Sequence, residues 1–194
     1  MRAIAIKLIA LFALCLSLAA CDFGQVEQGR CVGYNPENNT FTLVLDVKHD
    51  VVNPSYTGGI VTYTMPADPK EIGPEPKPGG RVMIDHEKSQ VILYKDGKLE
   101  SVPVEFTDVQ KNITTNNPKV KGVKFPIVNK DEGTITEYSR RMQEIVTFKV
   151  PAEYLDLPDT IWESGDECRI YYKENAKHQA LRFMNVSKTN IFKK

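Results

Sequence analysis

Ile60-Val61-Thr62-Tyr63-Thr64-Met65-Pro66-Ala67-Asp68 returns later in the chain as Ile145-Val146-Thr147-Phe148-Lys149-Val150-Pro151-Ala152-Glu153. Five of these nine pairs are identical and three are conservative. Both stretches are dense in β-branched and aromatic residues and stop at a proline, as a strand does when it runs into a turn. Two further blocks keep the same order. Residues 35–42 (NPENNTFT) match 129–136 (NKDEGTIT), and residues 88–94 (KSQVILY) match 177–183 (KHQALRF). The offsets of 94, 85 and 89 residues put the length changes between strands, where loops vary. A period of that size is a domain, too long for a solenoid repeat. The expected fold is mainly β, with two tandem, related, small barrel or sandwich units. The OB fold is one form such units take.

The first copy offers strands at residues 41–47, 60–65, 81–85, 91–94 and 99–106. The second offers 125–128, 134–138, 145–150, 168–172 and 180–185. Lys95-Asp96-Gly97-Lys98 reads as a hairpin turn, because Asp-Gly accepts positive φ. Helix is scarce. Residues 137–144 or 152–157 suit a turn or two, and Pro151 fits the start of the latter. Residues 66–80 carry prolines that fix φ and remove donors, so this stretch cannot continue a sheet. It reads as a rigid crossover loop rather than a polyproline arm that docks a partner. Gly58-Gly59 and Gly79-Gly80 read as turn glycines supplying positive φ. The polar stretch 112–121 is the expected linker between a first unit at 29–111 and a second at 122–194.

Ahead of the β region, Arg2 and Lys7 flank the start of an apolar run at residues 8–20, which ends in Leu18-Ala19-Ala20-Cys21. Its 13 residues fall short of the about 20 that span a bilayer. The pattern is that of a cleavable secretory signal peptide. It resembles the bacterial lipoprotein signal, whose lipobox reads Leu, small, small, Cys. The resemblance implies that residues 1–20 are removed and that Cys21 becomes the mature N-terminus. Cys21 then carries a thioether-linked diacylglycerol and usually an acyl chain on its amine. Each buried methylene contributes about 0.8 kcal/mol, so two or three chains hold where one binds reversibly. Asp22 resembles the signal that retains such proteins in the inner membrane, with the outer membrane as the alternative. Residues 21–28 would form a lipidated tether. Overall the chain resembles small bacterial lipoproteins of unknown function.

Loss of Arg2 and Lys7 with the leader leaves 23 basic against 25 acidic side chains. No half is strongly basic, which excludes a nucleic-acid surface built on clustered Lys and Arg. Of four cysteines, Cys15 leaves with the leader and Cys21 is acylated. Cys31 and Cys168 remain in an oxidising compartment, where a disulfide between them is expected. It would close a loop of well over 100 residues, for about 4–5 kcal/mol in the chain-entropy model. Two buried thiols are the alternative.

His49, His86 and His178 have no zinc spacing and read as solvated turn residues. Neither Cys31 nor Cys168 lies in a Cys-x-x-Cys pair. No Gly-x-Ser-x-Gly elbow and no phosphate loop is present. Acidic residues such as Asp131, Glu132, Asp156 and Asp159 show no spacing that names a catalytic pair. No catalytic residue, cofactor or metal site is therefore expected. Trp162, with Tyr154, Tyr171 and Tyr172, is a candidate aromatic binding face. A core position is the competing role. The expected function is a membrane-anchored, periplasm-facing lipoprotein acting as a non-catalytic binding or structural module. Its expected partners are the lipid membrane, through acylated Cys21, and another envelope protein or component. A small-molecule or glycan carrier with a pocket between the units is the alternative, followed by an envelope hydrolase.

Overall fold

The computed structural model describes residues 24–50 and 54–189. The leader, Cys21 and Asp22 lie outside the described residues. Over the described residues the protein is mainly β, with three antiparallel sheets, none closed into a barrel. The largest sheet has the order β12 (Arg182–Asn185), β11 (Glu167–Lys173), β1 (Gly24–Asn35), β2 (Thr40–Leu45), β3 (Ile60–Thr64). A second joins β4 (Arg81–Asp85), β5 (Gln90–Lys95) and β6 (Lys98–Pro103). The third has the order β7 (Glu105–Gln110), β10 (Glu144–Lys149), β9 (Thr134–Ser139), β8 (Ile127–Asn129).

The three-stranded sheet is the middle layer, and the period-two alternation of β5 puts it there. Val91 and Leu93 join Ile135, Val146, Phe148 and Trp162 in the core shared with the four-stranded sheet. Ile92 and Tyr94 turn the other way and pack on Val44, Tyr56 and Val82, against the five-stranded sheet. The opposite face of that sheet carries its own core of Phe41, Leu43, Tyr63, Cys168, Ile170 and Phe183, with Ile72 packed on it. Phe41 stacks on Tyr63 at 5.6 Å and meets Phe183 edge-on at 4.9 Å.

The duplicated blocks share local structure but not architecture. The runs β1–β2–β3 and β8–β9–β10 are both meanders. The Asn35 and Asn129 side chains brace equivalent hairpin turns by accepting from Asn38 N at 3.1 Å and Glu132 N at 3.2 Å. The third block diverges. Residues 88–94 supply the central strand β5, whereas residues 177–183 lead into the edge strand β12. The two halves also interleave. β11 and β12 complete the sheet begun by β1–β3, and β7 pairs with β10. The expected boundary at 112–121 thus does not divide the chain into self-contained sheets. Ile113 in that stretch is buried and is tied to Gln143 and Tyr138 of the second half. Residues 99–106, expected as one strand, divide at Val104, and the chain changes sheets there. Pro103, which has no N–H to give a ladder, ends β6.

Other expectations hold or shift for local reasons. Asp96 and Gly97 take φ of 50° and 78° in the hairpin turn that sets Lys95 opposite Lys98. Residues 152–154 form a 3-10 turn, but 137–144 are strand and hairpin, and among the described residues the α-helix is the single turn α1 (Asp159–Trp162). Residues 24–28, expected as tether, belong to β1 and pair with β11 from Gly24↔Lys173 onward. The crossover 66–80 runs beside β12, where Gly73 N donates to Phe183 O at 2.9 Å.

Gly79-Gly80 has a different purpose from the turn role expected of it. Gly59 has the positive φ, 93°, and neither Gly79 nor Gly80 does. The pair instead permits a backbone crossing. A Cβ on Gly79 would sit 2.3 Å from Glu163 O, one on Gly80 2.5 Å from Ile161 O, and one on Gly165 1.8 Å from Cys31 O. In the space so freed, Gly79 N donates to Cys31 O at 3.1 Å and Cys31 N to Asp166 O at 2.8 Å.

Gly79→Ala and Gly165→Ala are each expected to lose about 3 kcal/mol or more, because a backbone must move to admit the methyl group. Gly33→Ala, whose Cβ would meet only the Thr42 side chain at 3.4 Å, is expected to lose less than about 1 kcal/mol. Urea unfolding of the three variants checks this.

Candidate functional site

A polar cleft of about 330 Å³ opens where the five-stranded sheet, β4 and the β9–β10 turn meet; Arg30, Tyr56, Met83, His86, Arg141 and Met142 contribute to its lining. Its organising group is the Tyr56 hydroxyl. It accepts from Arg30 Nη2 at 2.8 Å and Arg141 Nη1 at 3.0 Å, and donates to Glu167 Oε2 at 2.8 Å. Arg30 also lies over the Tyr56 ring at 5.3 Å, a cation–π contact. Its Nη1 donates to Ser164 Oγ at 2.9 Å and Gly165 O at 3.0 Å. Gln28 donates to Glu167 Oε1 at 3.1 Å. Arg141 approaches Asp46 at 3.8 Å, and Asp46 Oδ1 accepts from Ser55 N at 2.7 Å and Lys48 N at 3.1 Å. Burial raises the Tyr56 phenol well above its ordinary range, with Arg30 pulling the other way, so it keeps its proton and remains a donor to Glu167.

A second buried pair backs the cleft. Arg81 Nε stands 3.2 Å from Glu137 Oε1 and also donates to Trp162 O at 3.2 Å. The Glu137 oxygen lies off the donor line, so the contact is electrostatic rather than an aligned hydrogen bond. Burial pushes Glu137 up to about 7, with Arg81 opposing. His86, expected as a solvated turn residue, pairs through Nε2 with buried Glu144 at 2.9 Å and packs on Phe106 at 4.7 Å. His178 is an exposed turn residue, as expected, with its ring 6.3 Å from that of Tyr63. Among the described residues no group of three or more His, Cys, Asp or Glu is placed to hold a metal ion.

The four aromatic candidates do not share a face. Trp162 is fully buried, 6.0 Å from the Phe148 ring. Tyr154 packs on the same core and donates its hydroxyl to Glu100, which raises the phenol to about 12. Tyr172 is buried on the five-stranded sheet with its hydroxyl on Glu27 at 3.0 Å. Tyr171, next in sequence, points to the other side and is exposed. It sits in an apolar groove of about 540 Å³ with Val26, Leu181 and Met184, edged by Arg169 and Arg182. Cys31 and Cys168 do come together, on β1 and β11 in one core, as free thiols. A hydrogen bond with Cys31, then burial, drives the Cys168 thiol far up.

The cleft residues carried no usable sequence signal, since they come from five segments between Gln28 and Glu167. The groove had a faint one. Val26, Gln28, Arg30 and Val32 alternate along β1, but glycine and charge on the other positions conceal a strand. A family model described as Domain of unknown function (DUF4881) matches residues 22–194. No curated protein and no solved structure matches the chain.

Two outcomes follow from the cleft. Tyr56→Phe removes the hydroxyl that serves two guanidinium groups and a carboxylate, and is expected to lose about 2–3 kcal/mol in urea unfolding. Glu137 has a folded pKa of about 7 against an ordinary 4.5. Its stabilising contribution is therefore complete below 4.5 and lost as pH rises through 7. Unfolding measured across that window should show the wild type losing up to about 3 kcal/mol relative to Glu137→Gln.

Proposed function

The chain belongs to the DUF4881 family, and we propose that it is a lipoprotein of the bacterial envelope, anchored through Cys21, whose β domain is a non-catalytic binding module for another envelope component. One observation carries this reading. β1 starts at Gly24, three residues after Cys21, and three extended residues reach only about 10 Å. The same strand then carries Val26 into the groove and Arg30 into the cleft. An acyl anchor at Cys21 would thus hold both surfaces close to a membrane. Asp22 supports the inner membrane, facing the periplasm.

The polar cleft is the partner face in this proposal. Its charges are fixed in opposite pairs, and exposed Met142 beside His86 and Lys88 supplies an adaptable apolar contact on a polar rim. In an oxidising periplasm Cys31 and Cys168 would join as a disulfide, tying β1 to β11. A small-molecule or glycan carrier is the second reading. The converging Arg30, Tyr56 and Arg141 and a volume of about 330 Å³ favour it, since small ligands occupy pockets of that order.

Cys21→Ser is expected to leave the precursor uncleaved or to release the protein; a variant still processed and membrane-bound contradicts the anchor. In-cell cross-linking of the lipidated protein should give one dominant partner, reduced at least tenfold by Lys88→Glu combined with Met142→Ser. The same partner captured at wild-type yield contradicts the cleft as its binding face.

A further inference from the structure

The groove beside Tyr171 has an exposed apolar floor. Val26, Tyr171 and Leu181 remain 48%, 36% and 39% accessible, and Met184 continues the surface. Tyr171 lies opposite Val26 on β1 and opposite Arg182 on β12, while Arg169 lies opposite Met184. The result is an apolar strip with a guanidinium group at each edge. Arg182 is paired with Glu71, whereas Arg169 is bound to the neutral amide of Gln28 at 2.7 and 3.0 Å. The strip therefore keeps a net positive charge.

Its position decides what can cover it. Gly24 lies under the Tyr171 ring, so close that a Cβ there would be 2.3 Å from the ring carbons. The chain thus enters the fold at the mouth of the groove. Cys21 is three residues back, within about 10 Å even when fully extended. If Cys21 is acylated, the gap between groove and lipid is no wider than one helix with its side chains, about 10–12 Å. A folded partner does not fit there, and the lipid surface does. A tyrosine ring, aliphatic side chains and flanking arginines are also what an interface takes. The ring sits at headgroup depth, the apolar groups sink below it, and the arginines extend to phosphate.

Resting on the lipoprotein reading, we propose that this groove docks on the phospholipid bilayer that holds Cys21. Val26, Tyr171, Leu181 and Met184 enter the interface, and Arg169 meets anionic headgroups, with the Arg182–Glu71 pair at the other edge. The anchored domain then lies on the membrane in one orientation rather than swinging on its tether.

The test uses the full lipidated protein in vesicles of phosphatidylethanolamine and phosphatidylglycerol. An environment-sensitive fluorophore is placed at Leu181→Cys and, as control, at Leu99→Cys on β6, which is 38% exposed. The expected result is a blue-shifted signal at 181, quenched at least threefold by brominated acyl chains, with no quenching at 99. Val26→Ser with Tyr171→Ser should remove most of that quenching, with Trp162 emission confirming the fold. A label at 181 as wet as that at 99, in protein whose Cys21 carries acyl chains by mass spectrometry, overturns the docking and leaves the anchor standing. Absence of those chains overturns the anchor itself and the docking with it. Shielding at 181 in cells but not in pure vesicles assigns the groove to a protein and overturns the inference.

Discussion

Three stretches of backbone pass through one point, and side chains are excluded from it. Gly165 faces the carbonyl of Cys31, and Gly79 and Gly80 face the chain from Ile161 to Gly165. A single methyl group at Gly165 would overlap the Cys31 oxygen. This crossing locks β1 of the large sheet, the entry to β4 of the middle sheet, and the segment joining α1 to β11. The neighbouring residues inherit their positions from it. Arg30 precedes Cys31, Arg81 follows Gly80, Glu167 lies just beyond Gly165, and Trp162 lies just before it. The polar cleft is assembled because these side chains radiate from the same crossing.

The charges around the crossing specify more than they stabilise. Burying ions forfeits their hydration, and a buried pair recovers that loss only when its geometry and remaining hydrogen bonds are good. Tyr56 accepts from Arg30 and Arg141 and donates to Glu167, although the buried Arg30 Nε has no hydrogen-bond partner among the described residues. Glu137 is less well served, which is why burial holds its proton on so far up the pH scale. Cohesion comes from three apolar cores layered through the fold, with β5 feeding two of them from alternate faces. The network adds register. It ties β1, the loop bearing Tyr56, the β9–β10 turn and β11 into one arrangement, which a purely apolar contact would leave freer to slide.

Much of the strand content was legible, because IVTYT and EIVTF are β-formers bounded by turn residues and Asp96-Gly97 fits a tight hairpin. The strand exchange between halves was not. Nothing in the composition of β7 or β11 says which sheet they complete, since pairing depends on where chain crossings leave an open edge. β1 was concealed for a related reason. One of its faces carries Gln25, Glu27 and Gly29 before reaching Cys31, so no apolar alternation marks it as a strand. The glycine pair at 79–80 was readable as special but not as a close approach, because sequence does not show what lies across from a residue. Of the aromatic residues, Trp162 competed between core and surface, and the core took it. Tyr171 and Tyr172 are neighbours in sequence, yet the pleat sends one to the groove and the other to Glu27.

Interleaving and the glycine crossing make residues 24–50 and 54–189 one cooperative body rather than two tandem units. Equilibrium unfolding under reducing conditions tests it directly, with one probe in each core. Trp162 fluorescence follows the core between the middle and four-stranded sheets, and thiol reactivity of Cys31 and Cys168 follows the core of the five-stranded sheet. Both probes are expected to trace a single transition with the same midpoint and slope. Two separated transitions would contradict it.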